Sequence, residues 1–189
     1  MSNYIDSEIF TKIDFTKKKI SKVEYDNCTF ESCNFEGIHA SNIQFIECEF
    51  IDCNFSNTIV KDTAFKDVHF VKCKLLGVKF HECDSFLLQL KFTDCQLQFS
   101  SFHQLKIPKT TFTNCNLQEV DFAATNLSGS FFDNCDLKQA IFEQTNLEKV
   151  NFVSSFNFTI DPEDSQLKGA KFSKEGVVGL LMKYGVCIE

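Results

Sequence analysis

The sequence contains no arginine and no tryptophan, and only two of its 189 residues are proline. With a formal net charge of −7 and no arginine, the chain is poorly suited to bind the phosphates of nucleic acid directly. No stretch approaches the roughly twenty apolar residues of a membrane span. The segment from Met1 to Phe10 is polar and acidic, unlike a secretory signal. We therefore expect a cytoplasmic protein that binds neither membranes nor nucleic acid.

The motifs of common enzymes are missing as well. The sequence has no Gly-rich phosphate loop, and no Ser or Cys stands with a His and an acid in a recognisable nucleophile arrangement. The histidines are scattered at positions that are expected to face outward: His39, His69, His81 and His103. We therefore predict a non-enzyme without a cofactor.

What the sequence does contain is a repeat of five residues. A large apolar residue, which we call the centre, recurs at every fifth position from Phe10 to Phe80 and again from Leu87 to Phe152; only Ala40 is small. A period of five fits neither an α-helix, at 3.6, nor a plain β-strand, at 2.

The repeat predicts a square coil. Each unit of five forms one side and one corner, so four units close a turn, and turns stack at the roughly 4.8 Å spacing of neighbouring strands. The centre and the small residue two positions before it point inward. One unit cannot bury its own face, so stability depends on the turns above and below. Fifteen plus fourteen centres, 29 units in all, correspond to about seven turns.

The register shifts between residues 81 and 87. Phe80 and Leu87 are seven apart rather than five, so two residues are inserted around Asp84, Ser85 and Phe86. A solenoid absorbs such an insertion as a bulge or a corner loop. Phe86 falls outside both registers and is expected to be exposed, in a harmless bulge or as a contact point for a partner.

Nine of the ten cysteines precede a centre position by two residues, where the coil needs a small side chain. Cys33, Cys53 and Cys73 are spaced by twenty, so they stack one turn apart, and a second set follows at the same spacing. Parallel stacked thiols do not form a tetrahedral metal site, and free cysteine ordinarily acts as a small buried hydrophobe. We predict reduced thiols and no metal; only Cys187, in the tail, stands apart.

The pattern changes after Ser155. A loop signal begins at Asp161, and residues 167–172 look like one more pair of units. We therefore divide the chain into a solenoid, residues 1–155, and a C-terminal region, residues 156–189.

A short C-terminal α-helix is predicted over residues 174–184. Ser173 can cap its start, and Gly185 can end it. Its apolar residues are too many for a well-solvated surface helix, so they cap the open end of the column, form a dimer interface, or do both. The predicted interface residues are Val177, Val178, Leu180, Leu181 and Tyr184.

Units such as Cys33-Asn34-Phe35 and Thr145-Asn146-Leu147 resemble the pentapeptide-repeat family, whose consensus is a small residue, Asp or Asn, Leu or Phe, and two variable residues. The resemblance extends over about residues 8 to 155. It implies an all-β fold, a right-handed quadrilateral β-helix.

Both ends of the chain are similar to the topoisomerase-protecting subgroup of this family, the Qnr quinolone-resistance proteins and the McbG microcin-immunity protein. The similar stretches are Ile9 to Phe15 and Ile160 to Ile188. The resemblance implies a homodimeric rod, joined through its C-terminal helices, that mimics DNA, binds DNA gyrase or topoisomerase IV, and protects against quinolones or peptide toxins. The chain has only a two-residue insertion and no large Qnr-type loop, which leaves gyrase inhibition or toxin immunity open beside quinolone protection.

Charge is segregated along the chain: residues 23–70 and 119–164 each carry −7, whereas residues 71–118 carry +3. The subgroup concentrates its charge near the dimer centre, which implies partner-binding carboxylates at Glu119, Asp121, Asp133, Asp136, Glu143 and Glu148. We expect Asp121, Asp136 and Glu143 to point outward and to tolerate charge reversal. Alternatively, these acids only keep a solenoid soluble, and the protein is a general scaffold or structural rod with an unrelated partner.

Overall fold

The computed structural model describes residues 4–186, which form a solenoid of short parallel β-strands. The strands are β1 (Tyr4–Asp6), β2 (Ile9–Thr11), β3 (Glu24–Asp26), β4 (Thr29–Glu31), β5 (Gln44–Ile46), β6 (Glu49–Ile51), β7 (Ala64–Lys66), β8 (Val68–Val71), β9 (Leu90–Thr93), β10 (Thr111–Thr113) and β11 (Phe131–Asp133). No helix within this range is long and apolar enough to cross a bilayer.

Four sides make the coil square, and we number them in chain order. The first side is the sheet β1-β3-β5-β7, and the second is the sheet β2-β4-β6-β8-β9-β10-β11. The third and fourth sides are held by isolated bridges, such as Asn34 with Asn54 and His39 with Ile59. Partners are twenty residues apart, or 22 across the insertion, so equivalent repeat positions stack at every turn.

Six turns separate β2 from β11, the first and last strands of the second sheet. Isolated bridges, such as Asn151 with Lys171, continue the stacking beyond β11. The count is therefore close to the predicted seven turns, and the all-β solenoid is confirmed.

The interior is a column of stacked side chains. Apart from Phe10, which is half-buried, and Leu87, which is exposed, every predicted centre is buried. On one side, the ring of Phe35 stacks on Phe55 with centroids 4.3 Å apart, and Phe55 meets Phe50 edge-on at 4.9 Å. Both geometries are favourable for aromatic pairs, so each ring contacts its own turn and its neighbours.

Where the small residue of a unit is Cys, Thr or Ser, it commonly donates a hydrogen bond to a carbonyl of the preceding turn. Cys73 Sγ lies 3.2 Å from the Phe50 oxygen, and Thr125 Oγ1 lies 2.8 Å from the Phe102 oxygen. The nine cysteines within residues 4–186 are free and buried; Cys187 lies outside the described residues. Six of them form one continuous column on the third side, one per turn: Cys33, Cys53, Cys73, Cys95, Cys115 and Cys135.

Two local devices turn each corner. The residue two after a centre usually has positive φ, 56° at Asn57 for example, a conformation that Asn, Asp and Gly tolerate best. The Asn or Asp just before a centre accepts a hydrogen bond from the backbone two residues on, as when Ser56 N–H donates to Asn54 Oδ1 at 3.0 Å. This turn explains why the consensus requires Asn or Asp.

The inserted residues form a bulge at the corner between the first and second sides. The chain leaves the stack after Asp84, which pairs with Ala64, and rejoins it at Gln89, whose N–H donates to the Phe65 oxygen at 3.1 Å. Residues 85–88 project between these points, and we call them the bulge.

Two apolar side chains of the bulge face outward. Phe86 is 66% exposed, as predicted, but Leu87 is 65% exposed, so its prediction as a core centre is wrong. The first register continues through Ser85, which puts Leu87 at the corner position with φ of 58°. Half-buried Leu88 packs against the core instead.

The predicted C-terminal α-helix is wrong: the segment forms two 3₁₀ helices, Gly176–Leu180 and Met182–Tyr184. Ser173 Oγ does accept a hydrogen bond from Gly176 N–H at 2.8 Å, and Gly185 ends the segment with φ of 62°. Glycine and β-branched valine disfavour an α-helix.

Close packing on Phe158 also constrains this C-terminal segment. A Cβ added at Gly179 would collide with the carbonyl oxygen of Phe158, so only glycine allows this approach. Ile160 N–H also donates to the Gly179 oxygen at 3.2 Å.

An ionic cluster ties the segment to the preceding loop. Lys183 Nζ lies 2.5 Å from Asp161 Oδ1 and 2.7 Å from Glu163 Oε2, and the Tyr184 hydroxyl donates to Glu163 Oε1 at 2.9 Å. The hydrogen bonds from Lys183 are the main cause that lowers the pKa of both carboxyl groups.

We predict that Phe50→Ala and Phe122→Ala each lower the free energy of unfolding by about 3–5 kcal/mol, because each leaves a cavity between stacked rings. Thermal and denaturant melts measure the loss. Phe131→Ala, at an exposed position beside a buried centre, is the control and costs less than about 1 kcal/mol. An equally small loss for Phe50→Ala would contradict the column.

We predict that acid releases the C-terminal segment before the solenoid unfolds. Asp161 and Glu163 have lowered pKa values when folded, so their contribution is complete above their ordinary pKa of about 4 and is lost as the pH falls through the folded values. The protection factors of the Leu181 and Tyr184 amides, which correct for the intrinsic pH dependence of hydrogen exchange, should therefore fall as the pH drops from about 5 to 3.

Lys183→Met should lower the protection factors of these amides at pH 6 already and remove the pH dependence of the protection. Lys174→Met, an exposed lysine of the same region, is the matched control and should behave as wild type. Unchanged exchange in Lys183→Met would reject the role of the cluster.

Candidate partner-binding surface

The six predicted partner-binding carboxylates surround the rod instead of sharing one side. Residues 119–148 complete about one and a half turns, so their side chains point in different directions. Glu148 lies on the first side, Asp133 on the second, Asp136 on the third, Asp121 and Glu143 on the fourth, and Glu119 at the corner between the third and fourth.

Two of the six carboxylates also hold corner turns. Asp121 Oδ1 accepts from Ala123 N–H at 2.9 Å, and Asp136 Oδ1 accepts from Lys138 N–H at 3.1 Å. Both residues are half-buried. The expectation that they tolerate reversal to lysine therefore conflicts with their local role, because lysine cannot accept these hydrogen bonds.

Of the six carboxylates, Asp136 accepts the most hydrogen bonds from other groups of the protein. Its Oδ2 accepts from Gln118 Nε2 at 2.5 Å, and its Oδ1 accepts from Asn157 Nδ2 at 2.8 Å. Partial burial alone raises the pKa of this carboxyl, but the hydrogen bonds from Asn157 and Gln118 outweigh it and lower the pKa. The group is therefore a firmly placed anion at neutral pH.

The other four carboxylates are more available. Glu119 and Glu143 are exposed, whereas Glu148 and Asp133 are half-buried, and Asp133 accepts from the Ser154 hydroxyl at 2.7 Å. None of the six forms an ion pair with another group in residues 4–186. Their charges therefore face solvent without a neutralising partner.

The five predicted dimer residues do not all project from the C-terminal segment. Val177, Leu181 and Tyr184 are exposed, whereas Val178 and Leu180 are half-buried, and Leu180 packs against the core. The segment thus covers the end of the column and also leaves apolar side chains in solvent.

A cavity of about 770 Å³ adjoins this segment on the third side. Val153, Phe156 and Met182 contribute exposed apolar side chains to it, beside half-buried Val178. Sequence reasoning missed Val153 and Phe156, although the failure of Phe156 to fit the register was a usable signal.

A second cavity, of about 680 Å³, lies beside the bulge. Leu87, Leu88 and Pro108 line it together with lysines from three turns: Lys66, Lys91 and Lys109. Sequence reasoning identified the insertion but not this groove, because the lysines come together only when the turns stack.

No group of three or more His, Cys, Asp or Glu side chains within residues 4–186 is placed to hold a metal ion. Burial raises the pKa of the Cys48 and Cys83 thiols to about 12. These thiols stay protonated at neutral pH.

Solved structures of QnrB1, a plasmid-mediated fluoroquinolone resistance protein, are similar to this fold. A trypsin-treated variant of QnrB1 aligns with a TM-score of 0.74 and 14% identity, covering 100% of this chain and 92% of its own. The full-length form aligns with a TM-score of 0.56 and 18% identity, covering 97% and 100%. Identities this low show a shared fold alone.

No curated protein has a sequence that matches this chain significantly. The sequence profile of the pentapeptide repeat region, however, matches residues 23–86 and 85–152, which together make up more than half of the chain. The square coil, its centres and its Asn or Asp turns explain that match residue by residue. The chain belongs to the pentapeptide-repeat family.

Proposed function

We propose that this protein is a non-enzymatic DNA mimic that binds DNA gyrase or topoisomerase IV and protects it against quinolones or peptide toxins. The observation that carries the proposal is the set of carboxylates at residues 119–148, which surrounds the rod and forms no ion pair with any other group of the described residues 4–186. A DNA duplex likewise presents negative charge on all sides of an axis. A lysine- and arginine-rich saddle built for a duplex therefore complements this surface.

The likeness of fold to QnrB1, a fluoroquinolone resistance protein, supports the same proposal. The absence of arginine also fits, because the acidic turns present no guanidinium group that a basic saddle would repel. A cytoplasmic location follows from the proposed partner.

We further propose a homodimer joined through the C-terminal segment. Val177, Leu181 and Tyr184 leave apolar area in solvent at the end of the rod, and Met182 and Phe156 extend it. Pairing of two such ends buries this area and places the two acidic segments next to each other. One long acidic rod results.

A general protein-binding scaffold is the second candidate, and the bulge favours it. Phe86 and Leu87 project from a segment of positive charge, beside a groove lined by three lysines and two acids. That surface fits an acidic protein partner better than a basic saddle. Gyrase supercoiling separates the candidates, because a scaffold for an unrelated partner leaves it unchanged.

We predict that Asp121→Asn, Asp136→Asn and Glu143→Gln together abolish inhibition of gyrase supercoiling. Asparagine keeps the Oδ1 acceptor of each corner turn, as Asn116 and Asn126 do elsewhere in the rod, so the melting temperature stays near wild type. Each single variant should weaken inhibition less. Wild-type inhibition should fall steeply with salt, because spread surface charges are screened within about 8 Å at physiological ionic strength.

The control removes the same charge elsewhere. Glu31→Gln, Glu47→Gln and Asp62→Asn neutralise three exposed acids of residues 23–70 and should leave inhibition largely intact. Equal inhibition by both triple variants and wild type, or no effect of wild type on gyrase or topoisomerase IV at low salt, would remove the DNA-mimic proposal.

We predict that Leu181→Asp converts the dimer to a monomer in light scattering at micromolar concentration, because it places a charge in the apolar interface. The solenoid stays folded by circular dichroism. Ile9→Asp, at an exposed position near the opposite end of the rod, is the control and should remain dimeric. A monomeric wild type would reject the interface.

A further inference from the structure

The bulge brings two histidines together that the sequence separates by 22 residues. Ordinary turns have twenty, but the two inserted residues lengthen this one, so Lys79 pairs with Ser101 and His81 lies directly below His103. The two imidazole rings are 6.4 Å apart between centroids and perpendicular. Both follow a centre on the fourth side, at equivalent positions of neighbouring turns.

Hydrogen bonds orient the ring of His81. Its Nδ1 lies 3.0 Å from Ser101 Oγ, and that hydroxyl lies 3.1 Å from Asp121 Oδ2. A carboxylate only accepts, so the single Ser101 proton points to Asp121, and Ser101 Oγ accepts the proton of His81 Nδ1. The lone pair of neutral His81 is therefore on Nε2.

The surroundings leave room for a ligand at this position. His81 and His103 line a cavity of about 410 Å³, together with Cys83, Ser85, Gln104 and Lys106. The equivalent position on the next turn is Ala123, whose small side chain leaves space above His103. His81 is exposed and His103 half-buried, so both rings can turn toward a shared ion.

We propose that His81 and His103 form a surface binding site for one divalent transition cation, with water completing the coordination. Neutral imidazole is a preferred ligand of Zn²⁺, Ni²⁺ and Cu²⁺, whereas Mg²⁺ prefers oxygen. A metal-bound histidine usually donates its other N–H to an oxygen that fixes its tautomer. Ser101, held by Asp121, is such a positioning residue for His81.

The small number of ligands at the His81–His103 site indicates which class of cation it can bind. The site offers two nitrogen ligands; Cys83 also lines the cavity but is buried, and no group of three His, Cys, Asp or Glu side chains within residues 4–186 is arranged to hold an ion. The Lys106 ammonium group beside the cavity repels any cation, so only an ion that bonds strongly to imidazole nitrogen is held there. A borderline cation that bonds strongly to two imidazoles is the fitting occupant.

Calorimetric titration of the full-length protein with Ni²⁺ should show one ion per chain, and Mg²⁺ should give no binding heat. His81→Asn and His103→Asn should each remove the Ni²⁺ binding. His39→Asn and His69→Asn change histidines without a histidine neighbour and should retain it. Absorption spectra should lack the charge-transfer bands of nickel bound to thiolate, and Cys187→Ser should bind as wild type.

Ser101→Ala keeps both nitrogen ligands and should weaken Ni²⁺ binding about 10–100-fold, whereas Ser101→Thr restores it. Absence of Ni²⁺ binding by wild type, unchanged binding in His81→Asn or His103→Asn, or loss of binding in Cys187→Ser would overturn the site. Equal affinity of Ser101→Ala and wild type would overturn the positioning role of Ser101. Circular dichroism of each variant confirms that the solenoid is intact.

Discussion

The structure depends on one interaction, the stacking of equivalent repeat positions in successive turns. A ring such as Phe50 is buried only because Phe30 and Phe70 lie below and above it, with centroids 4.8 and 5.0 Å away. No unit of five residues has a core of its own. Stability is therefore cooperative along the rod, and its ends need covers.

The same rule makes the surface a set of parallel columns. Because a side chain repeats its place every turn, charge placed at intervals of twenty runs along one side, whereas charge in consecutive units winds around the rod. The acids of residues 119–148 follow consecutive units and so surround the axis. Under the proposed function, this arrangement would resemble the charge distribution of a duplex more than a single charged face would, and it comes from the coil without any added loop.

The two-residue insertion changes more than its length suggests. It projects Phe86 and Leu87 into solvent, aligns the lysines of three turns around one groove, and brings His81 beside His103. It also leaves the cysteine column continuous, because Cys73 and Cys95 differ by 22 residues and still stack. A search of the sequence at a fixed interval of twenty residues therefore misses the contacts that the longer turn creates.

The sequence by itself determined the coil, its inward positions and its acidic turns, because a period of five allows one arrangement that buries every centre. Tertiary structure decided the rest. Leu87 faces solvent since the chain rejoins the stack later than counting suggests, and the C-terminal segment is 3₁₀ since Gly179 must approach the Phe158 carbonyl. Asp121 and Asp136 read as free surface charges in the sequence, but only the folded corners show that both hold turns. The five-residue period specifies the turns that repeat. The contacts of the insertion and of the C-terminal segment involve residues outside the repeat, so the period does not specify them.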